Sequence, residues 1–224
     1  MHARVDHNGL VSIDQQLGRR DAILAAAARE FERVGFASAT IAAIARGAGI
    51  SQGSLHFHFR TKVAIALGVI DEQNVRTFRV VNLADSSPTA ALIAATGHFG
   101  DLLLTDPVVR AGIRLSLEHG EFAGTTSASY DRWIAGIVDV FRLALASGEL
   151  RTDLTAEQLG ATVVPYFTGV QLVSDVRTGR QDLYAALTTM WHVLLTAIAD
   201  PAHRARLFAV VASTFDERTA PDGS

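Results

Sequence analysis

Residues 40–62, TIAAIARGAGISQGSLHFHFRTK, constrain this chain more than any other stretch. Thr40 stands where a hydroxyl can accept from the free N–H groups of a helix's first turn. Ile41, Ile44 and Ala45 then share one helical face. Gly47 and Gly49 break that helix, and Gly49 falls where a tight turn needs a positive φ. Ser51 caps the next helix, in which Leu55 and Phe59 face inward with Phe57 nearby. Two short helices so closely joined, the second polar on its outer face, make a helix-turn-helix. In that motif the second helix enters the DNA major groove.

The same stretch resembles the DNA-binding domain of the TetR family of repressors. The residues that carry the likeness are Thr40, Ile44, Ala45, Ala48, Gly49, Ile50, Gly53, Leu55, His58, Phe59 and Lys62, with the upstream amphipathic helix RRDAILAAAAREFERVGFASAT. The chain departs from the family pattern at Gln52, where the family usually has Lys, and at His56, where it usually has Tyr.

The rest of the chain reads as helical too. Alanine and leucine abound and strand-forming aromatics are few. The expected class is all-α: an N-terminal three-helix DNA-binding domain and a C-terminal helical domain for ligand binding and dimerisation. We expect a disordered arm over 1–17, the helix-turn-helix domain over 18–64, the second domain over 65–215 and a disordered tail over 216–224. The first helix, 18–34, carries Ile23, Leu24, Ala27, Phe31 and Val34 as its buried stripe and stops at Gly35. A long helix starts near Thr61 and runs to about Leu83. Asp85-Ser86-Ser87-Pro88 breaks the chain, and Pro88 suits a new first turn. Helices follow over 89–104 and from Pro107 to Gly120, then a polar loop, EFAGTTSAS, and a helix from Tyr130 to Ala146. Thr155 caps a helix containing Pro165, which should kink it. Residues 181–199 are apolar nearly all round, and Pro201 opens a last helix to about Phe215.

Charge divides along the same line. Residues 18–64 hold seven Arg and Lys against three Asp and Glu, or +4; the whole chain is −3, so the remainder is −7. A basic head on an acidic body suits a protein that meets phosphate at one end only. Arg19 and Arg20 can reach phosphates from the first helix. Thr40 offers a hydroxyl and free N–H groups. Ser51, Gln52, Gly53 and Ser54 lie on the outer first turn of the reading helix. Gln52 can pair with adenine, Ser54 with either base type, and Gly53 lets the backbone approach. His56 can donate to a phosphate, more strongly when protonated. The family resemblance implies a phosphate contact for Lys62, the sole lysine. His56 and His58, two apart, fall on different helix faces, so no metal site is expected. Fewer cations imply a modest salt dependence.

The second half resembles, more loosely, the γ-butyrolactone autoregulator receptors of actinomycetes, through DPVVRAGIRL and QLVSD. That resemblance implies a pocket lined by Trp133, a ligand bond from Gln73, and a second wall around Thr168, Val170 and Gln171. Trp133, Phe167, Leu115, Phe99 and Val170 can supply apolar walls, and Gln73, Gln171, Thr168 and Tyr166 polar groups. Tyr166 has a second reading, at a dimer interface, and the aromatics a second reading as plain core. The TetR resemblance further implies a homodimer through helices at 156–177 and 181–199, with Trp191 and His192 at the interface. Arg114 and Glu118 read as an i, i+4 ion pair.

The expected partners are double-stranded, pseudo-palindromic operator DNA, a small-molecule inducer such as a γ-butyrolactone, butenolide or furan, and a second copy of the chain. The alternative inducer is an antibiotic or other apolar molecule acting on efflux or metabolism genes. No enzyme activity and no cofactor are expected: there is no cysteine, G-x-S-x-G, H-E-x-x-H or phosphate loop. With no signal-peptide pattern and no apolar run of spanning length, a cytoplasmic protein without membrane contact is expected.

Overall fold

The computed structural model describes residues 8–78, 87–118 and 123–219. Regular structure among them is helical, as the sequence predicts: α1 (Asn8–Ser38), α2 (Ile41–Gly47), α3 (Gln52–His58), α4 (Lys62–Phe78), α5 (Pro88–Thr105), α6 (Pro107–Ser116), α7 (Ala123–Ala146), α8 (Ala156–Thr178), α9 (Leu183–Ile198) and α10 (Pro201–Thr219). None of these helices is long and apolar enough to cross a membrane. The chain divides into two compact units, one of Met1–Arg76 with Asp106–Thr126, the other of Thr77–Thr105 with Ser127–Ser224.

The first unit is built on the stripe read from α1. Ile23, Leu24, Ala27 and Phe31 are buried with Ile44 and Ala45 of α2, Leu55 of α3, and Phe59. The same core contains Ile65, Ala66, Val69 and Ile70 of α4 and Val108, Ala111 and Leu115 of α6. The unit therefore does not stop near residue 64. The apolar face of α4 continues in helical register, and three helices alone would leave it uncovered. Polar ties reinforce α6. Arg110 Nε donates to Glu32 Oε1 at 2.6 Å, and Arg76 Nη1 to Asp106 Oδ2 at 2.7 Å. Asp106 Oδ1 also accepts from the Val108 N–H, capping α6. Arg114 donates to the Glu32 carbonyl rather than pairing with Glu118.

The second unit centres on α9, which packs against α5, α8 and α10. Leu183, Leu187, Met190, Trp191 and Leu195 are buried along it. Tyr184 donates to Asp101 of α5 at 2.5 Å. Glu149, after α7, accepts from the Thr89 N–H at the start of α5 and from Arg206 of α10, both at 3.0 Å. Burial opposes its ionisation, but these hydrogen bonds outweigh burial and hold the carboxyl below its ordinary value. At the α7–α8 crossing Gly160 leaves no room for a side chain: a Cβ there would meet Val138 Cγ2 and, at 3.3 Å, the Ile134 carbonyl.

Several local expectations shift. α1 begins at Asn8, so residues 8–17 are helical rather than an unstructured arm; Leu10, Ile13 and Leu17 do have helical spacing. Gly35 ends the regular part of α1 with φ 77°. Residues 123–129 of the expected loop are helical, and the buried Thr126 and Ser129 extend the stripe of Tyr130 and Trp133. α10 runs past Phe215 to Thr219, with Pro221 just beyond as its stop signal. α8 runs unbroken through Pro165, although that ring supplies no N–H to the Ala161 carbonyl. The parts of the expected arm, of the α4 extension with its Asp85-Ser86 break, of the α6 end at Gly120 and of the tail that fall on 1–7, 79–86, 119–122 and 220–224 lie outside the described residues.

Candidate functional site

The reading head forms as its local sequence dictates. The Ala43 N–H donates to Thr40 Oγ1 at 3.2 Å, and the Ser54 N–H to Ser51 Oγ at 3.1 Å. Between the two helices Gly49 adopts φ 68°, and the Ile50 N–H returns to the Ala45 carbonyl. Leu55 and Phe59 anchor α3 inward. Ser51, Gln52, Gly53 and His56 are exposed; Ser54 is half-buried. Arg19 is exposed, whereas Arg20 is half-buried with its guanidinium 5.7 Å from the centre of the Phe59 ring. The head thus gathers hydroxyl, amide and imidazole groups on one outer face.

Two residues of the head depart from their expected places. Phe57 is 78% exposed, edge-on to His58, and lies outside the core. An exposed aromatic on a two-turn helix is a contact group that the sequence reading passed over. Lys62 donates to the carbonyls of Phe36, Ala37 and Ala39 at 2.8, 3.0 and 3.0 Å. Its ammonium also stands 4.6 Å from the centre of the Phe36 ring. An ammonium has three protons, and here all three hold the turn between α1 and α2. Lys62 therefore has a structural role that the sequence reading, which expected a phosphate contact, did not foresee.

A cavity of about 390 Å³ lies in the second unit. Its walls are Leu92, Ala95, Thr96 and Phe99 of α5, Trp133, Gly136, Ile137, Asp139 and Val140 of α7, and Val163, Val164 and Phe167 of α8, with Thr77. Phe99 meets Trp133 and Phe167 edge-on, with ring centres at 5.6 and 5.0 Å. Of the expected ligand residues the cavity brings together Phe99, Trp133 and Phe167. Its other walls follow helical spacing on α5, α7 and α8, a signal present in the sequence but indistinguishable there from core. Leu115 lies in the core of the first unit, and Gln73 packs there on Gly112 of α6. Thr168 donates within α8 to the Val164 carbonyl. Tyr166 and Val170 are half-buried and do not line the cavity; Gln171 is buried.

The cavity wall has little polarity. Thr96 donates to its own helix at the Leu92 carbonyl. Asp139 is exposed and pairs with Arg142, which also binds Glu157. That guanidinium holds the Glu157 carboxyl below its ordinary value. A second surface feature lies on α8 and α9. Val173, Val176 and Val193 are exposed there, Val176 by 86%, as are Pro165 and Gly169. Trp191, by contrast, is 1% exposed, inside the core, so it is not an interface residue. His192 is edge-on to Phe208 of α10.

Comparison with known proteins agrees with this architecture. Residues 23–69 match the family model "Bacterial regulatory proteins, tetR family". The A-factor receptor protein of Streptomyces griseus is 36% identical over 179 residues, 80% of this chain. The chain spans 63% of that relative's length. The structure of tylp, a tetr regulator from Streptomyces fradiae, is 33% identical, covers 91% of both chains and superposes with a TM-score of 0.70. The TetR family protein CprB from Streptomyces coelicolor, solved in complex with its biological operator sequence, is 26% identical. That match covers 89% of this chain and 98% of CprB, with a TM-score of 0.75. The chain belongs to the tetR family of bacterial regulatory proteins.

Proposed function

We propose that this chain is a DNA-binding transcriptional repressor, acting as a homodimer and released from its operator by a small molecule. The observation that carries the reading is the pairing in one chain of a capped, outward-polar reading helix with a cavity of about 390 Å³ walled by apolar side chains. Thr40, Ser51, Gln52, Gly53, Ser54 and His56 present the groups that meet phosphates and base edges. Exposed Phe57 adds an apolar contact of the kind that meets thymine methyl groups. One such helix reads few bases, so two copies should read half-sites about 34 Å apart. The exposed apolar residues of α8 and α9 supply a face for that pairing.

The inducer is a small signalling molecule of the γ-butyrolactone, butenolide or furan type, by likeness to the A-factor receptor protein. Thr77 lines the cavity and belongs to α4, the helix that starts at Lys62. A molecule bound there acts through that helix. It needs only about 1–3 kcal/mol of preference for the DNA-free state to change occupancy. The test is a mobility shift with labelled DNA from the chain's own upstream region, repeated with synthetic signals of each class. Release by one class supports the reading. A complex that saturating signals leave intact, while an antibiotic or other apolar molecule dissolves it, favours the efflux-type regulator that the scarcely polar wall equally fits. No shift even at low salt refutes DNA binding.

A further inference from the structure

We propose that operator binding takes up a proton at His56: the imidazolium formed there grips a DNA phosphate, so the chain holds its operator more tightly as pH falls from about 8 to about 6. The inference rests on the DNA-binding reading proposed above, and on the outer face of α3 rather than on the cavity.

Helical spacing builds that face. Gln52 and His56 are four residues apart, so they stand one turn above the other on α3, and both are exposed. Leu55 and Phe59 are buried and fix the helix from its other side. His58, on the same helix, is half-buried and meets the Phe57 ring edge-on. His56 makes no hydrogen bond and no ion pair among the described residues.

The charges around α3 explain why DNA supplies the missing partner. The chain has no Asp or Glu between Glu32 and Asp71, a stretch that includes all of α2 and α3. The elements that share the α3 core carry carboxylates only outside it: Asp21, Glu30 and Glu32 on α1, Asp71 and Glu72 on α4, and Asp106 and Glu118 at the ends of α6. Glu30, Glu32, Glu72 and Asp106 are committed to arginines, and none of the seven pairs with His56 among the described residues. Of the cations, Arg46 of α2 and Arg60 just after α3 are exposed, Arg20 lies over the Phe59 ring, and Lys62 is held by carbonyls. No ion pair inside the head therefore awaits a proton on His56, whereas a DNA phosphate offers one. A neutral imidazole has one N–H to donate; an imidazolium has two and a charge. An opposite charge within about 4–6 Å favours that charged form. The bound state then holds more protons than the free chain, so affinity rises as pH falls and levels off above about pH 8. Each phosphate neutralised in this way also releases counterions, which makes the salt slope itself depend on pH.

The test is fluorescence anisotropy of the full chain with labelled DNA from its own upstream region, between about pH 6 and pH 8.5 at fixed ionic strength. It compares the wild type with His56→Tyr and His56→Gln. Both substitutions fall on the exposed face and leave the buried side of α3 alone. Tyrosine keeps a donor but stays neutral over this range. The wild type should bind roughly three- to tenfold more tightly per head at the acid end than at the alkaline end. Its salt slope should be steeper there by about 0.9 per histidine. Both variants should lose the pH trend and the change in slope, whatever their affinity at the alkaline end. A wild-type affinity that is flat with pH overturns the inference. So does a trend that survives in both variants, which would assign the proton to another group, His58 first. A salt slope that stays constant while affinity changes places the proton away from phosphate and overturns it too. Binding at no pH, even at low salt, overturns the DNA-binding reading with it.

Discussion

Replacing Lys62 with Met separates two roles that a lysine beside a reading helix can have. Methionine keeps most of the stem and removes the ammonium. The structure commits that ammonium to the carbonyls of Phe36, Ala37 and Ala39 and to the Phe36 ring. A hydrogen bond to a charged group contributes about 1.5–3 kcal/mol, but three bonds from one charge do not add. Lys62 is half-buried, so water can reach part of what is left. With about 0.5–1 kcal/mol for the ring contact, Lys62→Met should cost about 2–4 kcal/mol of unfolding free energy. Urea unfolding should show a lower midpoint at unchanged m. Operator binding, measured where the variant is fully folded, should keep the salt slope of the wild type. A phosphate contact predicts the opposite: unchanged stability and a slope shallower by about 0.9 per lysine lost. That second pattern would refute the structural role.

Other perturbations follow from the packing. Glu149→Gln keeps an acceptor for the Thr89 N–H but loses the charge facing Arg206. Because Arg206 is half-exposed, the loss at neutral pH should be only about 1–2 kcal/mol. The Glu149 carboxyl sits below its ordinary 4.5, so the wild-type advantage is complete above that pH and shrinks as pH falls below it. Urea titrations at pH 7 and pH 4 check this, and an advantage that grew on acidification would contradict it. Gly112→Ala would drive a Cβ into the Cβ and Cγ of Gln73, close to the Val69 carbonyl. Thermal unfolding should report a loss of about 1–3 kcal/mol, since no flexible end can move aside. Ser51→Ala removes the α3 cap and should cost about 1 kcal/mol, with weaker operator binding in a mobility shift.

What could be read from the sequence was local. Thr40, Ser51 and Thr155 cap as their hydroxyls and positions predict. Gly49 takes the positive φ that its turn demands. The helix order followed from apolar spacing, and the DNA-binding unit from a run of residues close together in the chain. Partners chosen across the fold were not legible. Lys62 bonds carbonyls 23–26 residues away, a pairing no spacing announces. Gln73 and Leu115 carry side chains suited to a pocket, yet both lie in the first unit. For the small residues of 123–129, loop and helix have similar local cost, so burial of Thr126 and Ser129 settles the matter. The resemblance placed Trp133 on the cavity wall but could not say that Phe99 and Phe167 would meet there, since that depends on how α5, α7 and α8 pack.

The division of labour on α3 bears on how such a chain changes over time. Ser51, Leu55 and Phe59 hold the helix in place, while Gln52, Gly53, His56 and Phe57 face outward and bury little. Only Ser51, which caps the helix and is itself exposed, belongs to both. Substitutions in the rest of the second set therefore carry almost no folding penalty and act on whatever the helix touches. A lineage built on this scaffold can drift from one target sequence to another without passing through unstable intermediates. The departures at Gln52 and His56 are changes of that inexpensive kind.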